Sequence, residues 1–226
     1  MSFKGVIFDL NGVLWWDSPL QEAAWQQSAA AIRGRPFSPD EMAAYVHGRT
    51  TRDTLEYLAG RPLSEAEAAA LTDQKETIYR RMCLEQGEAF RLSPGAADLL
   101  DTLAARRIPR TIATAAGWEN LAFFIEHLGL ARWFTPGQIV YDDGTRPGKP
   151  APDVYLEAAR VLGLPPAACV VVEDARSGIE AARAAGIGCI IALGPPSQHD
   201  RLAALPGVSH VIERLGEFPR GLLPET

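Results

Sequence analysis

The sequence predicts an α/β fold in which a parallel-sheet core carries an inserted, all-helical domain. Short apolar runs without polar alternation recur along the chain, which is typical of strands buried on both faces of a parallel sheet. Helical stretches follow most of these runs, and this alternation indicates right-handed βαβ units. One long segment, residues 16–89, contains no such run and has helical periodicity throughout.

The first predicted strand comprises residues 5–10 and ends at the turn-forming pair Asn11 and Gly12. Further strands are predicted at residues 109–114, 169–172 and 189–193, with a short last strand at residues 210–212. Several short strands separated by helical segments of ten to fifteen residues are typical of one parallel sheet covered by helices.

The strand-free segment has clear helix starts. Ser38 and Ser64 are each followed by acidic residues in the next turn, a pattern that predicts a capped helix N-terminus. A helical segment inserted after the first strand of an α/β sheet predicts a cap domain. After it, Ser93 is predicted to cap a helix of the core, with Pro94 as the first helical residue.

Composition excludes some classes of protein. A chain of 226 residues is long enough for one large domain, or one domain with an insertion. Its net charge of −6 argues against binding to nucleic acid or to an anionic membrane surface, which need clustered cations. The three cysteines have no metal-like spacing, and no stretch of about 18 apolar residues occurs. We therefore expect a cytoplasmic protein, as a monomer or weak dimer.

Polar residues stand at the carboxyl ends of the predicted strands, where open parallel sheets bind ligands. They are Asp9, Thr114, Glu173 and Asp174, joined by Lys149 before a later helix. A carboxylate can attack phosphorus, but it repels a phosphate dianion unless a cation such as Mg²⁺ offsets the charge. An ammonium group and a hydroxyl can hold the transferring oxygens. This combination predicts phosphoryl transfer.

Four motifs in this order resemble the haloacid dehalogenase-like (HAD) superfamily, in its branch with a helical cap after the first strand. They read DLNGV at residues 9–13, IATAA at 112–116, GKP at 148–150 and VEDARSGIEAA at 172–182. The Glu-Asp form of the fourth motif is similar to β-phosphoglucomutase-like phosphatases and phosphomutases. The resemblance covers essentially the whole chain. It implies a Rossmann-like core at residues 1–15 and 90–226 and a cap at residues 16–89.

The resemblance also implies roles for individual residues. Asp9 would be the nucleophile and a magnesium ligand, and the backbone carbonyl of Asn11 a second ligand. Asp174, with Glu173, would complete the acidic side of the metal site. The residues that would bind the phosphoryl group or the rest of a small phosphorylated metabolite are Thr114, Ala115, Ala116 and Lys149 in the core, and Gln21, Arg49 and Arg52 in the cap. The last two belong to a loop, residues 47–52, that resembles the substrate-facing loop of this branch; the choice between them stays open.

Two positions depart from the family pattern. Asn11 stands where the phosphatases carry an aspartate that acts as general acid and base. An amide cannot hold or release a proton near neutral pH, and losing such help lowers a rate roughly 10²–10⁴-fold, which is about 3–5 kcal/mol of barrier. Gln21 stands where a histidine is common. Both departures argue more against phosphomutase activity than against phosphate binding.

The predicted function is a Mg²⁺-dependent phosphatase that acts through an aspartyl phosphate on a small phosphorylated metabolite, preferably a sugar phosphate. Three alternatives stay open. A haloacid dehalogenase would use Asp9 without a metal, which leaves Glu173 and Asp174 without a clear purpose. A phosphomutase would need an efficient acid/base at position 11. A catalytically silent phosphate-binding protein would carry Asn11 either naturally or as an Asp-to-Asn substitution.

Other conspicuous residues are expected to have structural roles. Tryptophan rings usually bury a large apolar area, and a cysteine without flanking charges behaves as a small buried hydrophobe. We therefore expect packing roles for Trp25, Trp118, Trp133, Cys83, Cys169 and Cys189.

Overall fold

The computed structural model describes residues 3–46 and 49–224. The chain divides into two compact units. The α/β unit comprises Met1–Trp16 and Arg91–Thr226, and the helical unit comprises Asp17–Phe90. In the described residues, no helix combines the length and the apolar character that a membrane crossing requires.

The α/β unit contains a six-stranded sheet with the order β3-β2-β1-β4-β5-β6 and parallel pairing throughout. The strands are β1 Gly5–Phe8, β2 Arg110–Gly117, β3 Val140–Asp142, β4 Cys169–Glu173, β5 Cys189–Leu193 and β6 Val208–Ile212. Phe8 at the end of β1 pairs with Ile112 of β2 on one side and with Val172 of β4 on the other. The residues that follow these three positions therefore reach the same edge of the sheet.

Helices occupy the connections, as predicted. The helical unit contains α1 Ser18–Arg33, α2 Pro39–Tyr45, α3 Thr51–Ala59 and α4 Glu65–Glu85; the α/β unit contains α5 Ala96–Ala105, α6 Trp118–His127, α7 Asp153–Val161, α8 Arg176–Ala184 and α9 His199–Ala203. Val171 and Ile190 of the sheet pack in one cluster with Tyr155 of α7 and Ile179 of α8. The sequence prediction of an α/β core with a helical insertion is confirmed.

The helical unit is held by its own core and its own caps. Trp25, Leu55 and Leu58 belong to one buried cluster. Ser38 and Ser64 each form a full capping box, in which the serine oxygen accepts from a backbone N–H and a glutamate bonds back to the serine N–H. Both predicted helix starts are confirmed. They could be predicted from the sequence because the hydrogen bonds that form a cap lie within four residues.

These caps lead to a stability prediction. Ser64→Ala is expected to lower the free energy of unfolding by about 1 kcal/mol, because it leaves the N–H of Glu67 without its serine acceptor. Ser28→Ala is the matched control in the same unit. The buried Ser28 hydroxyl has no hydrogen-bond partner among the described residues, so its removal should be nearly neutral. Chemical denaturation of the three proteins measures both effects, and equal losses would contradict the prediction.

The helix that follows the insertion begins differently from the prediction. Helix α5 begins at Ala96, after Gly95 with φ 83°. Ser93 is not its cap: the Ser93 hydroxyl donates to the Val13 carbonyl at 2.6 Å. A side chain at Gly95 would also collide with the backbone of Gly216. The local Ser-Pro pattern does not decide the helix start here, because residues 93–95 contact two segments that are distant in sequence, at Val13 and at Gly216.

The strands also differ in extent from the prediction. Strand β1 ends at Phe8, so Asp9 lies just beyond it, whereas β2 extends to Gly117 and contains Thr114. Strand β3 was not predicted, because its three residues are too few to form a recognisable apolar run. The pairing of β2 with β3 is irregular between Ala113 and Gly117. The backbone around Thr114 therefore departs from regular sheet geometry.

All three tryptophans and all three cysteines can be compared with their expected packing. Trp133 is only half-buried, and its Nε1 donates to Asp101 at 2.6 Å. Cys83, Cys169 and Cys189 are buried and free of disulfides, and burial raises the pKa of Cys169 to about 11. Trp25 is buried as expected. Trp118 is not: 52% of it is exposed. The packing role expected for Trp118 is therefore wrong.

Candidate active site

A lysine and two carboxylates form a compact buried cluster at the carboxyl edge of the sheet. Lys149 Nζ lies 2.6 Å from Asp9 Oδ1 and 2.6 Å from Glu173 Oε1. The three side chains expose 9% or less of their surface. Burial by itself lowers the pKa of Lys149, but the charges of Asp9 and Glu173 outweigh it and hold that pKa well above its ordinary value. Lys149 is therefore a permanent cation beside Asp9.

Glu173 is fixed by hydrogen bonds on both of its oxygens. Oε1 also accepts from the Tyr155 hydroxyl at 2.9 Å, and Oε2 accepts from the Ala175 N–H at 2.8 Å. Burial and the charge of Glu173 raise the pKa of Tyr155, so the phenol stays protonated and donates. These contacts make Glu173 the group that orients Lys149 towards Asp9. The sequence analysis missed Tyr155, because nothing in the local pattern distinguishes it from a core aromatic.

Gly178 of α8 leaves the space that Glu173 occupies. A Cβ at Gly178 would lie 1.6 Å from Glu173 Oε1. Alanine normally stabilises a helix relative to glycine, but Gly178→Ala is expected to lower the free energy of unfolding by about 1–3 kcal/mol, since the carboxylate must move. Gly137→Ala, where a Cβ would meet nothing within 4 Å, is the control. Denaturant titration of both variants compares them, and a stabilised Gly178→Ala protein would contradict this packing.

Asp174 lies against the turn that follows Asp9. Gly12 in this turn has φ 80°, and a Cβ there would lie 2.0 Å from Asp174 Oδ2. Only glycine fits a left-handed backbone with a carboxylate in contact. The Asp174 carboxylate and the backbone of residues 11 and 12 are thus neighbours. Asn11 itself is half-buried and forms a backbone bridge with Trp15.

This arrangement fits a magnesium ion held by few protein oxygens. Within residues 3–46 and 49–224, no three His, Cys, Asp or Glu side chains are grouped closely enough to hold a metal by themselves. The predicted ligands are Asp9, Asp174 and the carbonyl of residue 11, with Glu173 inside or just outside the coordination sphere, so the set keeps two carboxylates without Glu173. Mg²⁺ commonly binds through one or two carboxylates and retains several waters. Glu173 is occupied with Lys149, Tyr155 and Ala175 instead.

Thr114 provides a hydroxyl beside the lysine. Its Oγ1 accepts from the Ala116 N–H at 3.0 Å, which leaves the hydroxyl proton for an acceptor such as a phosphoryl oxygen. The Ala116 N–H is used in this bond, so Ala115 is the better candidate for a backbone donor to substrate. A pocket begins at these residues; its lining includes Thr114, Ala115, Tyr141, Arg146, Lys149 and Val154.

The predicted contacts in the helical unit have different surroundings. Arg52 donates to Glu56, Glu65 and the Leu63 carbonyl, whereas exposed Arg49 donates through Nε to the Ala44 carbonyl. Arg52 is thus paired with two carboxylates, whereas the contact of Arg49 is with a backbone carbonyl. His47 and Gly48, which begin the predicted loop, lie outside the described residues.

Gln21 belongs to a buried polar network that the sequence analysis did not find. Its amide donates to Asp17 at 3.1 Å, and its oxygen accepts from Lys75 Nζ at 2.5 Å. The Tyr79 hydroxyl also donates to Asp17, at 2.6 Å, and burial followed by the Asp17 charge raises the pKa of Tyr79. Lys75 and Tyr79 are far from Gln21 in sequence, so no local signal indicated that its amide would be held on both sides.

This chain is similar to known proteins along most of its length. The family model for haloacid dehalogenase-like hydrolases matches residues 3–186. Hexitol phosphatase A of Escherichia coli is 35% identical over 95% of this chain and 94% of its own length. β-Phosphoglucomutase of Bacillus subtilis is 32% identical over 81% of this chain and 80% of its own length.

A solved structure is also similar along its whole length. It is a HAD hydrolase of family IA, variant 3, from Entamoeba histolytica, with a TM-score of 0.91 and 35% identity over 98% of this chain and 97% of that one. The family match, the two enzyme relatives and this structure all cover both units of the fold. This chain therefore belongs to the haloacid dehalogenase-like hydrolases, in the branch that contains phosphatases and phosphomutases.

Proposed function

We propose that this protein is a Mg²⁺-dependent phosphatase that forms an aspartyl phosphate on Asp9 and acts on a small phosphorylated sugar or polyol. The observation that carries this proposal is the buried contact of 2.6 Å between Asp9 and Lys149 at the edge of a parallel sheet. A carboxylate beside a fixed cation is suited to attack a dianionic phosphate, because the cation offsets the repulsion between them.

Each residue then has a defined task. Asp9 attacks phosphorus, the bond to the leaving oxygen breaks, and the departing alkoxide takes up a proton from solvent water, because the Asn11 amide has none to release. Water then attacks the aspartyl phosphate, releases inorganic phosphate and regenerates the Asp9 carboxylate. Lys149 and the Thr114 hydroxyl hold phosphoryl oxygens during both steps, and Glu173 keeps Lys149 in position through the 2.6 Å contact.

A magnesium ion would be held by Asp9, the carbonyl of residue 11 and Asp174. When bound, it would neutralise phosphate charge and polarise a phosphoryl oxygen. The close packing of Asp174 on the backbone at Gly12 supports this ligand set. Glu173 would act from outside the coordination sphere, since both of its oxygens accept other hydrogen bonds.

The identity of the substrate is inferred from the relatives and from the helical unit. A relative that is 35% identical is named for hexitol phosphates, which supports a phosphorylated polyol or sugar. Arg49 and Gln21 are the candidate contacts in the helical unit. Gln21 is pinned by Asp17 and Lys75, so its orientation is set before any ligand binds.

A second candidate function follows from Asn11. Because position 11 carries an amide, the chain lacks the proton carrier that the branch uses at this place, and a silent phosphate-binding protein would retain the other site residues unchanged. The same amide argues against a phosphomutase, in spite of the 32% identity with β-phosphoglucomutase. Turnover measured with and without an acid at position 11 separates these candidates.

The metal site is tested by Asp174→Ala. Calorimetric titration with Mg²⁺ should show an affinity lower by roughly 100-fold or more, because one of two carboxylate ligands is gone. Asp200→Ala, which removes an exposed carboxylate on α9, is the matched control and should bind Mg²⁺ normally. Unchanged affinity in Asp174→Ala would remove Asp174 from the proposed site.

A further inference from the structure

Two aromatic rings lie in contact at the border of the active-site pocket, and one of them lines it. Tyr141 lines the pocket that begins at Thr114 and Lys149. The ring of Trp118 lies 5.5 Å from the Tyr141 ring, tilted by 50°. We refer to Trp118 and Tyr141 as the aromatic rim.

The position of the rim follows from the sheet. Gly117 at the end of β2 pairs with Asp142 at the end of β3. Trp118 and Tyr141, the immediate neighbours of this pair, therefore stand side by side at the edge that also carries Asp9 and Lys149. Trp118 begins α6, only four residues after Thr114.

The exposure of Trp118 needs an explanation. A tryptophan is among the side chains that gain most from burial, yet 52% of Trp118 is exposed, more than of Trp16 (42%) or Leu156 (44%), the other large apolar side chains exposed in the described part of this unit. Trp118 packs against Tyr141, which lines the pocket, and ligand-binding sites typically combine apolar area of this kind with a few oriented polar groups.

The charges around the pocket restrict what the rim can bind. Arg146 donates to the Tyr141 carbonyl at 2.8 Å and to Asp143 Oδ2 at 3.1 Å, and Lys149 is held by Asp9 and Glu173. Among the described residues that line the pocket, both cations are thus already matched by carboxylates. The rim therefore lacks the surplus positive charge that a second phosphate dianion would require.

We propose that the aromatic rim binds the uncharged, polyhydroxylated part of a phosphate monoester, with the C–H face of the ligand on Trp118. At the border of the pocket, the Asp142 carboxylate would accept hydrogen bonds from its hydroxyl groups, and the Arg146 guanidinium would donate hydrogen bonds to them. Trp118 and Tyr141 are thereby specificity-determining residues, and the preferred ligand carries one phosphate rather than two. This inference rests on the proposed function, because the phosphate itself must occupy the site of Asp9, Thr114 and Lys149.

The test is calorimetric binding to the intact protein in the presence of Mg²⁺, with three probes: inorganic phosphate, glucitol 6-phosphate and fructose 1,6-bisphosphate. Trp118→Ala should weaken glucitol 6-phosphate binding roughly 3–10-fold, the usual effect of one aromatic contact, and leave inorganic phosphate binding unchanged. Trp118→Phe, which keeps a ring, should retain most of the affinity. Leu156→Ala removes another exposed apolar side chain, 44% exposed on α7. It should change the affinity for neither glucitol 6-phosphate nor inorganic phosphate.

The outcomes separate the two proposals. The aromatic rim is supported if Trp118→Ala is the only variant that loses affinity for glucitol 6-phosphate. Fructose 1,6-bisphosphate should then also bind no more tightly than this monophosphate. If Trp118→Ala affects neither ligand, or weakens both equally, the rim proposal is overturned while the phosphate site stands. If the unmodified protein binds none of the three probes, the proposed function itself fails, and the rim proposal fails with it.

Discussion

Replacing Asn11 by aspartate is expected to raise steady-state phosphate release from alkyl phosphates roughly 10²–10⁴-fold. In the proposed mechanism, attack on phosphorus needs Asp9 and Lys149, which lie in contact at 2.6 Å, and position 11 is needed for proton transfer instead. Protonation of the leaving alcohol and activation of the hydrolytic water do need an acid and a base. An amide supplies neither, so the restored aspartate should act on both steps.

The comparison requires the same Mg²⁺ concentration and the same panel of esters for both proteins. The rate of phosphate release from p-nitrophenyl phosphate should increase least, because its leaving group hardly needs a proton. Asp9→Asn added to the Asn11→Asp protein should abolish activity. Equal and efficient turnover by the original and restored proteins would show that another group supplies the proton. If neither protein releases phosphate, the result would favour the phosphate-binding protein over the enzyme.

The second large effect concerns stability. Lys149→Met is expected to lower the free energy of unfolding by about 3–5 kcal/mol, because it leaves two carboxylates, Asp9 and Glu173, buried without their shared cation. Methionine has a similar length, so the loss of charge dominates over the loss of volume. Denaturant titration should be made without Mg²⁺, since a bound cation would compensate part of the loss.

Three further variants identify the cause. Glu173→Gln added to Lys149→Met should recover part of the stability, because one unpaired charge is removed. Tyr155→Phe, which removes one hydrogen bond to Glu173, should cost only about 1–2 kcal/mol. Lys4→Met at an exposed position should change stability by no more than about 0.5 kcal/mol. A Lys149→Met protein as stable as Lys4→Met would show that the cluster is not a buried ion pair.

Much of the site could be inferred before its geometry was known, because parallel strands present their carboxyl ends at one edge. That rule placed Asp9 and Glu173 at a common edge of the sheet. Lys149, which is 140 residues away from Asp9, was added from its position before a helix. The different contacts of the individual residues at this edge could not be inferred in this way. Glu173 and Asp174 are adjacent acids in sequence, yet one orients a lysine and the other packs against Gly12.

The sequence by itself determined the features that depend on short-range interactions. The apolar runs of β1, β4 and β5 and the capping boxes at Ser38 and Ser64 are examples, since hydropathy and cap hydrogen bonds act within a few residues. The motifs that resemble the family could also be recognised from the sequence alone, because their residues and their order along the chain were sufficient.

The tertiary structure alone decided which residue each polar or aromatic side chain meets. Ser93 bonds to Val13 instead of capping a helix, Arg52 is taken up by Glu56 and Glu65, and Trp118 stays exposed beside Tyr141. Such outcomes depend on segments that are distant in sequence and converge only after the chain folds. Burial and hydrogen-bond partners are properties of that convergence, and a local pattern therefore does not contain them.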